Sequence, residues 1–102
     1  MSDKIYTIEE LKNQITRILI NYPIEKAILF GSYAKGSANE KSDVDLVVDS
    51  KGKLPGLRFF GLLEILTTTL KKNIDLIDER DIIKNGAADK EIKRSGVVIY
   101  EK

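Results

Sequence analysis

The sequence contains no cysteine, no histidine and no tryptophan, and the first two absences each remove a class of chemistry. Without cysteine there are no disulfides, no thiolate zinc sites and no thiol nucleophile. Without histidine there is no Ser-His-Asp or Cys-His arrangement and no imidazole ligand for a metal. Catalysis by this chain therefore has to come from carboxylates, hydroxyls, lysines, arginines and backbone groups.

An excess of charge of one sign is also missing, because 17 Lys and Arg are balanced by 16 Asp and Glu. Binding to duplex nucleic acid depends on neutralising many phosphates, which a net charge of +1 does not favour. No apolar run approaches the ~20 residues of a membrane span, and residues 1–4 carry no signal-peptide pattern. We therefore expect a cytoplasmic protein that binds neither membranes nor duplex nucleic acid.

The chain is 42% hydrophobic over 102 residues, which is enough for a single domain spanning 1–102. Hydrophobic spacing and turn residues predict helices over 8–21 and 57–70, helical segments near 80–84 and 88–94, and strands over 26–30, 43–49, 73–77 and 97–100. This order predicts an α/β fold, in which a small mixed β-sheet is flanked by helices. The same patterns assign Phe59 and Phe60 to the core, Lys72 to the solvated surface and Gly96 to a helix C-cap.

Two acidic residues on one predicted strand are the first indication of a metal site. Asp43 and Asp45 are two residues apart, so on a strand both project from the same face with Cα atoms ~6–7 Å apart. Two carboxylates this close repel each other unless a cation lies between them. Oxygen ligands without His or Cys favour a hard ion, so the pair predicts Mg²⁺ or Mn²⁺.

A third acid, Asp75, lies in the otherwise apolar stretch 74–77, where an unpaired buried carboxylate is costly. If its strand neighbours that of Asp45, ~4.8 Å away, all three carboxylates reach one cluster. Three carboxylates around two ions stabilise in-line displacement at phosphorus. Asp75 is then either a ligand of the second ion or the group that accepts a proton from the attacking hydroxyl.

A glycine-serine turn follows the first strand. Gly31 and Ser32 end that strand and begin a short helical turn, where backbone N–H groups, an unhindered glycine and a hydroxyl favour binding of a phosphate. Lys35, three residues later, supplies a positive charge. Together with the acids, this turn predicts a site for a nucleoside triphosphate.

At this point the motifs resemble those of a known family. Residues 31–36 (GSYAKG) and 42–48 (SDVDLVV) are similar to the signature of the polymerase-β-type nucleotidyltransferases, and the small size resembles the minimal, MNT-type members. The resemblance implies that Gly31 and Ser32 hold the triphosphate of ATP and that Asp43 and Asp45 bind two Mg²⁺ ions. The resemblance implies the same metal-binding role for Asp75. It also implies a small mixed sheet flanked by helices, as derived above.

The resemblance further implies a partner. Many minimal members resemble the antitoxin of a two-gene module whose toxin is a helical HEPN-type ribonuclease, and members of the family transfer AMP from ATP to a tyrosine of that toxin. Two other functions remain open: an antitoxin that inhibits by binding alone, and nucleotidyl transfer to a small molecule. The short chain argues against the last, since it has few residues to build a second wall for a substrate pocket. Homo-oligomerisation is also left open.

Overall fold

The computed structural model describes residues 3–102 and arranges them around one four-stranded sheet. The helices are α1 (Ile8–Leu19), α2 (Gly31–Lys35), α3 (Gly56–Leu70) and α4 (Ala87–Ser95). The strands are β1 (Lys26–Phe30), β2 (Val44–Asp49), β3 (Ile74–Asp78) and β4 (Val97–Glu101). Met1 and Ser2, which the signal-peptide prediction included, lie outside the described residues.

Helix α1 begins at a capping box. The Glu10 N–H donates to Thr7 Oγ1 at 3.0 Å, and the Thr7 N–H donates to Glu10 Oε1 at 2.9 Å, so two N–H groups at the helix start are satisfied. The helix ends at Leu19, two residues before the predicted end, and residues 20–23 form turns. Its apolar stripe is buried against the sheet through Leu11, Ile15 and Leu19.

The sheet is mixed, as predicted, with strand order β3-β2-β1-β4. Strand β1 is antiparallel to both of its neighbours, whereas β2 and β3 are parallel. Parallel neighbours need a crossover connection, and α3 provides it by carrying the chain from the end of β2 back to the start of β3. As a result, the first residues of β2 and β3 lie at the same end of the sheet.

The two faces of the sheet differ in character. One face packs against α1 and α3 and forms the core, to which β1 and β2 contribute Ala27, Leu29, Val44, Leu46 and Val48. The alternate residues of the same strands lie on the opposite face, where Phe30 is paired with Asp45 and Ile28 with Val47. Helix α4 packs against β1 on that side. Asp45 is therefore excluded from the apolar core and lies on the face opposite to α1 and α3.

The structure corrects two burial predictions. Phe60 is not in the core: its side chain is 69% exposed on the outer face of α3, while its neighbour Phe59 packs against the core as predicted. Lys72 is not on the solvated surface: it is 3% exposed, and its ammonium donates to the Glu40 carbonyl oxygen at 2.7 Å. A buried ammonium requires such acceptors, because desolvation otherwise makes its charge costly.

The segment before α4 also differs from the prediction. A 3-10 turn over Glu79–Asp81 and further turns replace the helix expected near 80–84. Gly96 does follow α4, but with φ −64° and ψ 141° it leaves the helix in an extended rather than a left-handed conformation. A side chain is excluded there by space, since a Cβ would overlap the backbone carbonyl oxygen of Ile92 and lie 2.9 Å from Ile28 Cγ2. Among residues 3–102, no helix combines the length and apolar character needed to cross a membrane.

Candidate active site

The register between β2 and β3 assembles the predicted acids. Asp45 on β2 is the direct neighbour of Asp75 on β3, and Asp43 lies one residue before β2 begins. Because the strands are parallel and in register, Asp45 and Asp75 project from the same face at the same level. Two of the three acids that the sequence placed in one cluster are therefore adjacent, and the third lies next to them.

The carboxyl group of Asp45 is strongly perturbed. Partial burial, followed by the negative charges of Asp75 and Asp43, raises its pKa to about 6. A hydrogen bond with Asp75 and the charge of Glu91 act in the same direction. Asp45 is thus surrounded by acidic groups whose negative charges disfavour its own, which is the electrostatic condition that a bound metal ion relieves.

Asp75 itself departs from the prediction in one respect. It is exposed, not buried in an apolar strand, because β3 is an edge strand and its outer face is open. The predicted burial of Asp75 is therefore wrong, whereas its predicted position on the strand next to Asp45 is confirmed. Within residues 3–102, no three acidic side chains are already arranged to enclose a metal ion. Asp45 and Asp75 form a pair, and the negative charge of Asp43 also acts on Asp45.

Gly31 is the residue through which the glycine-serine turn lies against the Asp45 side chain. Its φ of +74° lies in the left-handed region, which L side chains rarely adopt. A Cβ at this position would overlap the carboxylate of Asp45. The sequence argument assigned the glycine to close approach by a phosphate; the structure adds that the absent side chain leaves room for Asp45 against the backbone of the turn.

The other two residues predicted to hold phosphate lie along α2. The Ser32 side chain is half-buried and makes no hydrogen bond to another residue of the 3–102 range. The ammonium of Lys35, at the end of α2, is 2.7 Å from Glu91 Oε1 on α4. Glu91 was not found from the sequence, because residue spacing does not indicate that α4 folds back over α2.

Comparisons with known proteins identify the family of the chain. The chain matches the family described as "Polymerase beta, Nucleotidyltransferase" over residues 13–102. It is 33% identical over 86 residues to the protein adenylyltransferase MntA of Thermococcus cleftensis, covering 80% of this chain and 86% of that protein. It is 32% identical over 71 residues to MntA of Shewanella oneidensis, covering 68% of this chain and 51% of that protein.

Solved structures share the fold. A chain of a toxin–antitoxin complex with AMP-PNP superimposes with a TM-score of 0.77 and 24% identity, covering 89% of this chain and 73% of that one. A chain of the complex between a tri-AMPylated Shewanella oneidensis HEPN toxin and its MNT antitoxin gives a TM-score of 0.72 with 20% identity, covering 94% and 74% respectively. At these identities the superpositions establish the fold, and they confirm the predicted mixed sheet flanked by helices.

Proposed function

Because the chain belongs to the polymerase β-type nucleotidyltransferase family, as its motifs suggested, we propose that it transfers AMP from ATP to a hydroxyl group of a partner protein. Its relatives are named protein adenylyltransferases, which supports a protein acceptor. One of the solved structures that share the fold is a complex of a HEPN toxin with its MNT antitoxin. This supports a helical toxin of that type as the partner and an antitoxin role for this chain. The observation that carries the proposal is the pairing of Asp45 with Asp75 beside Gly31.

The donor atoms at the site fit divalent magnesium. Asp43, Asp45 and Asp75 offer only carboxylate oxygens, and partial burial, followed by the negative charges of Asp75 and Asp43, raises the pKa of Asp45. Hard cations such as Mg²⁺ prefer such oxygens and keep several waters, so the site needs few protein ligands. When bound, the ions would neutralise charge on the phosphates and on the attacking and leaving oxygens. The same chemistry accommodates Mn²⁺.

The roles of the residues follow from their places around this pair. Gly31 and Ser32 lie where the polyphosphate of ATP would be held, with the backbone of the turn and the unpaired Ser32 hydroxyl as donors. Asp75 is the most open of the paired acids and can accept the proton of an incoming hydroxyl. The acceptor oxygen forms a bond to the α-phosphorus, the bond between that phosphorus and the α–β bridging oxygen breaks, and pyrophosphate leaves.

The test is transfer of AMP to the product of the neighbouring gene in the presence of ATP and Mg²⁺, followed by intact mass. We expect a gain of one AMP residue or more per acceptor. Asp43→Asn and Asp45→Asn should each reduce the rate by about 100-fold or more, since each removes a charge that the metal requires. Asp49→Asn is the matched control, because Asp49 lies at the far end of β2 in an ion pair with Lys51.

Two outcomes would contradict the proposal. If the aspartate variants transferred AMP at the rate of the Asp49→Asn control, the acids would not be the catalytic centre. If the wild-type chain bound and inhibited its partner without ATP, and the variants did so equally well, the protein would be a binding antitoxin without catalysis.

A further inference from the structure

A single ion pair connects the motif helix α2 to α4. Lys35 Nζ lies 2.7 Å from Glu91 Oε1, within the distance of a charge-assisted hydrogen bond. The other oxygen of Glu91 accepts from Ser95 Oγ at 3.4 Å, and the same hydroxyl is 3.3 Å from the Glu91 carbonyl oxygen. Glu91 is thus oriented by its own helix, one turn before Ser95, with its free oxygen directed to Lys35.

The pair lies beside the acids of the candidate site. The negative charge of Glu91 is one of the causes that raise the pKa of Asp45, and α2 packs against both β2 and α4. Lys35 therefore extends from the helix that begins at Gly31 and places its ammonium near a carboxylate that is itself near Asp45. Lys35 is the one cation of the sequence motif 31–36, and its ammonium is held by the carboxylate of α4 that acts on Asp45.

We propose that Glu91 is a positioning residue, which holds the Lys35 ammonium in place to bind the polyphosphate of the nucleotide. This inference rests on the proposed function, because it requires that ATP binds at this site. A lysine side chain has four rotatable carbon–carbon bonds, and fixing them costs up to ~2 kcal/mol of conformational entropy. Glu91 removes much of that freedom before the nucleotide arrives.

The chemistry of an ammonium permits both contacts at once. Lys35 carries three N–H donors, so one can remain on Glu91 while the others donate to phosphate oxygens. Protein kinases, on an unrelated fold, need a Lys–Glu ion pair in place before phosphoryl transfer. The same physical arrangement is available here between two short helices.

The direction in which Glu91→Gln changes nucleotide affinity distinguishes two roles for Glu91: positioning Lys35, or acting on the whole site through its negative charge. If Glu91 acted only through its negative charge, Glu91→Gln would make the site less negative and bind the nucleotide more tightly. If Glu91 positions Lys35, the same substitution should weaken binding. The pair is partly exposed, with side-chain accessibilities of 41% and 33%, so we expect a modest loss of affinity, about fivefold.

The experiment is calorimetric titration with Mg²⁺ and α,β-methylene ATP, whose α–β bond cannot be cleaved by transfer. We expect Glu91→Gln to raise the Kd about fivefold and Glu91→Asp to restore part of the affinity. In a Lys35→Met background, Glu91→Gln should no longer weaken binding. Glu101→Gln is the matched control, because it removes one negative charge from the exposed pair with Lys26 at the opposite end of β1.

The outcomes distinguish this inference from the proposed function. If the wild-type chain does not bind Mg²⁺ and the ATP analogue, both the proposed function and the inference about Glu91 are wrong. Wild-type binding with an unchanged or lower Kd for Glu91→Gln overturns the inference alone. So does an equal loss of affinity in the Lys35→Met background, since Glu91 would then not act through Lys35.

Discussion

The contact between Gly31 and Asp45 allows a sharp test, because a single methyl group probes both backbone strain and the site. Gly31→Ala forces an L side chain into a φ of +74° and directs its Cβ into the Asp45 carboxylate. Gly36→Ala imposes almost the same strain, at a φ of +76°, but its Cβ would meet nothing within 4 Å. The difference between the two variants isolates the collision with Asp45.

The expected losses of stability follow from two costs, the backbone strain and the collision with Asp45. A left-handed backbone conformation costs a residue with a Cβ about 1–2 kcal/mol, which is the whole expected effect of Gly36→Ala. In Gly31→Ala the Asp45 side chain must also leave its rotamer, at a further cost of about 1 kcal/mol. We therefore expect Gly31→Ala to lower the free energy of unfolding by about 2–3 kcal/mol in total.

Urea denaturation measures the stability difference. With a slope of about 1 kcal/mol/M for a small domain, 1 kcal/mol between the two variants separates their midpoints by about 1 M. Transfer of AMP, measured as above, should be lost in Gly31→Ala, because its displaced carboxylate is the one proposed to bind the metal. Gly36→Ala should retain transfer when it is assayed well below its unfolding midpoint.

A double-mutant cycle completes the test. In an Asp45→Ala background the overlap with the carboxylate is removed and only the Cβ of residue 45 remains close, at 3.3 Å, so the cost of Gly31→Ala should fall to near that of Gly36→Ala. The reasoning is refuted if Gly31→Ala and Gly36→Ala destabilise equally in the otherwise wild-type chain, or if Gly31→Ala remains fully active.

Two further predictions concern the acids and the end of α3. Without metal at pH 7, Asp45→Asn should raise the free energy of unfolding by up to about 1 kcal/mol, since it removes a charge that partial burial and the repulsion from Asp75 and Asp43 both disfavour at a partly solvated site. Mg²⁺ should raise the urea midpoint of the wild type more than that of the variant, and an Asp45→Asn protein less stable than wild type in EDTA would contradict the repulsion. Lys71 closes α3 with φ +55° and donates its N–H to Thr67 O, so Lys71→Gly should stabilise by about 1 kcal/mol in urea, whereas Lys71→Ala should not.

Local patterns were sufficient for most of the fold. The capping box at Thr7 and the apolar spacing after it predicted α1, and the short apolar run ending at Gly31 predicted β1 without error. These predictions succeed because capping and amphipathic periodicity depend on residues within a few positions of one another. The segment near 80–84 failed because a polar stretch with little periodicity does not distinguish a helix from successive turns.

Burial was harder to predict than secondary structure. Phe60 was assigned to the core because it falls in the apolar spacing of the helix, yet it lies on the outer face of α3. Lys72 was assigned to solvent because it is charged, yet it is buried beside the Glu40 carbonyl. Which face of a helix turns inward, and which carbonyl is available to a lysine, depends on elements that are distant in sequence. Composition does not carry that information.

The sequence by itself predicted the chemistry: without histidine or cysteine, and with a Gly-Ser turn ten residues before Asp-x-Asp, it indicated a carboxylate and metal site for a nucleotide. The family match agrees with a nucleotidyltransferase. Only the tertiary structure decided which groups meet. The in-register parallel pairing of β2 and β3 sets Asp45 against Asp75, the positive φ of Gly31 admits the Asp45 carboxylate, and the packing of α4 on α2 brings Glu91 to Lys35. Strand register and helix packing arise from long-range contacts, which is why the motif predicted the acids but not the glutamate.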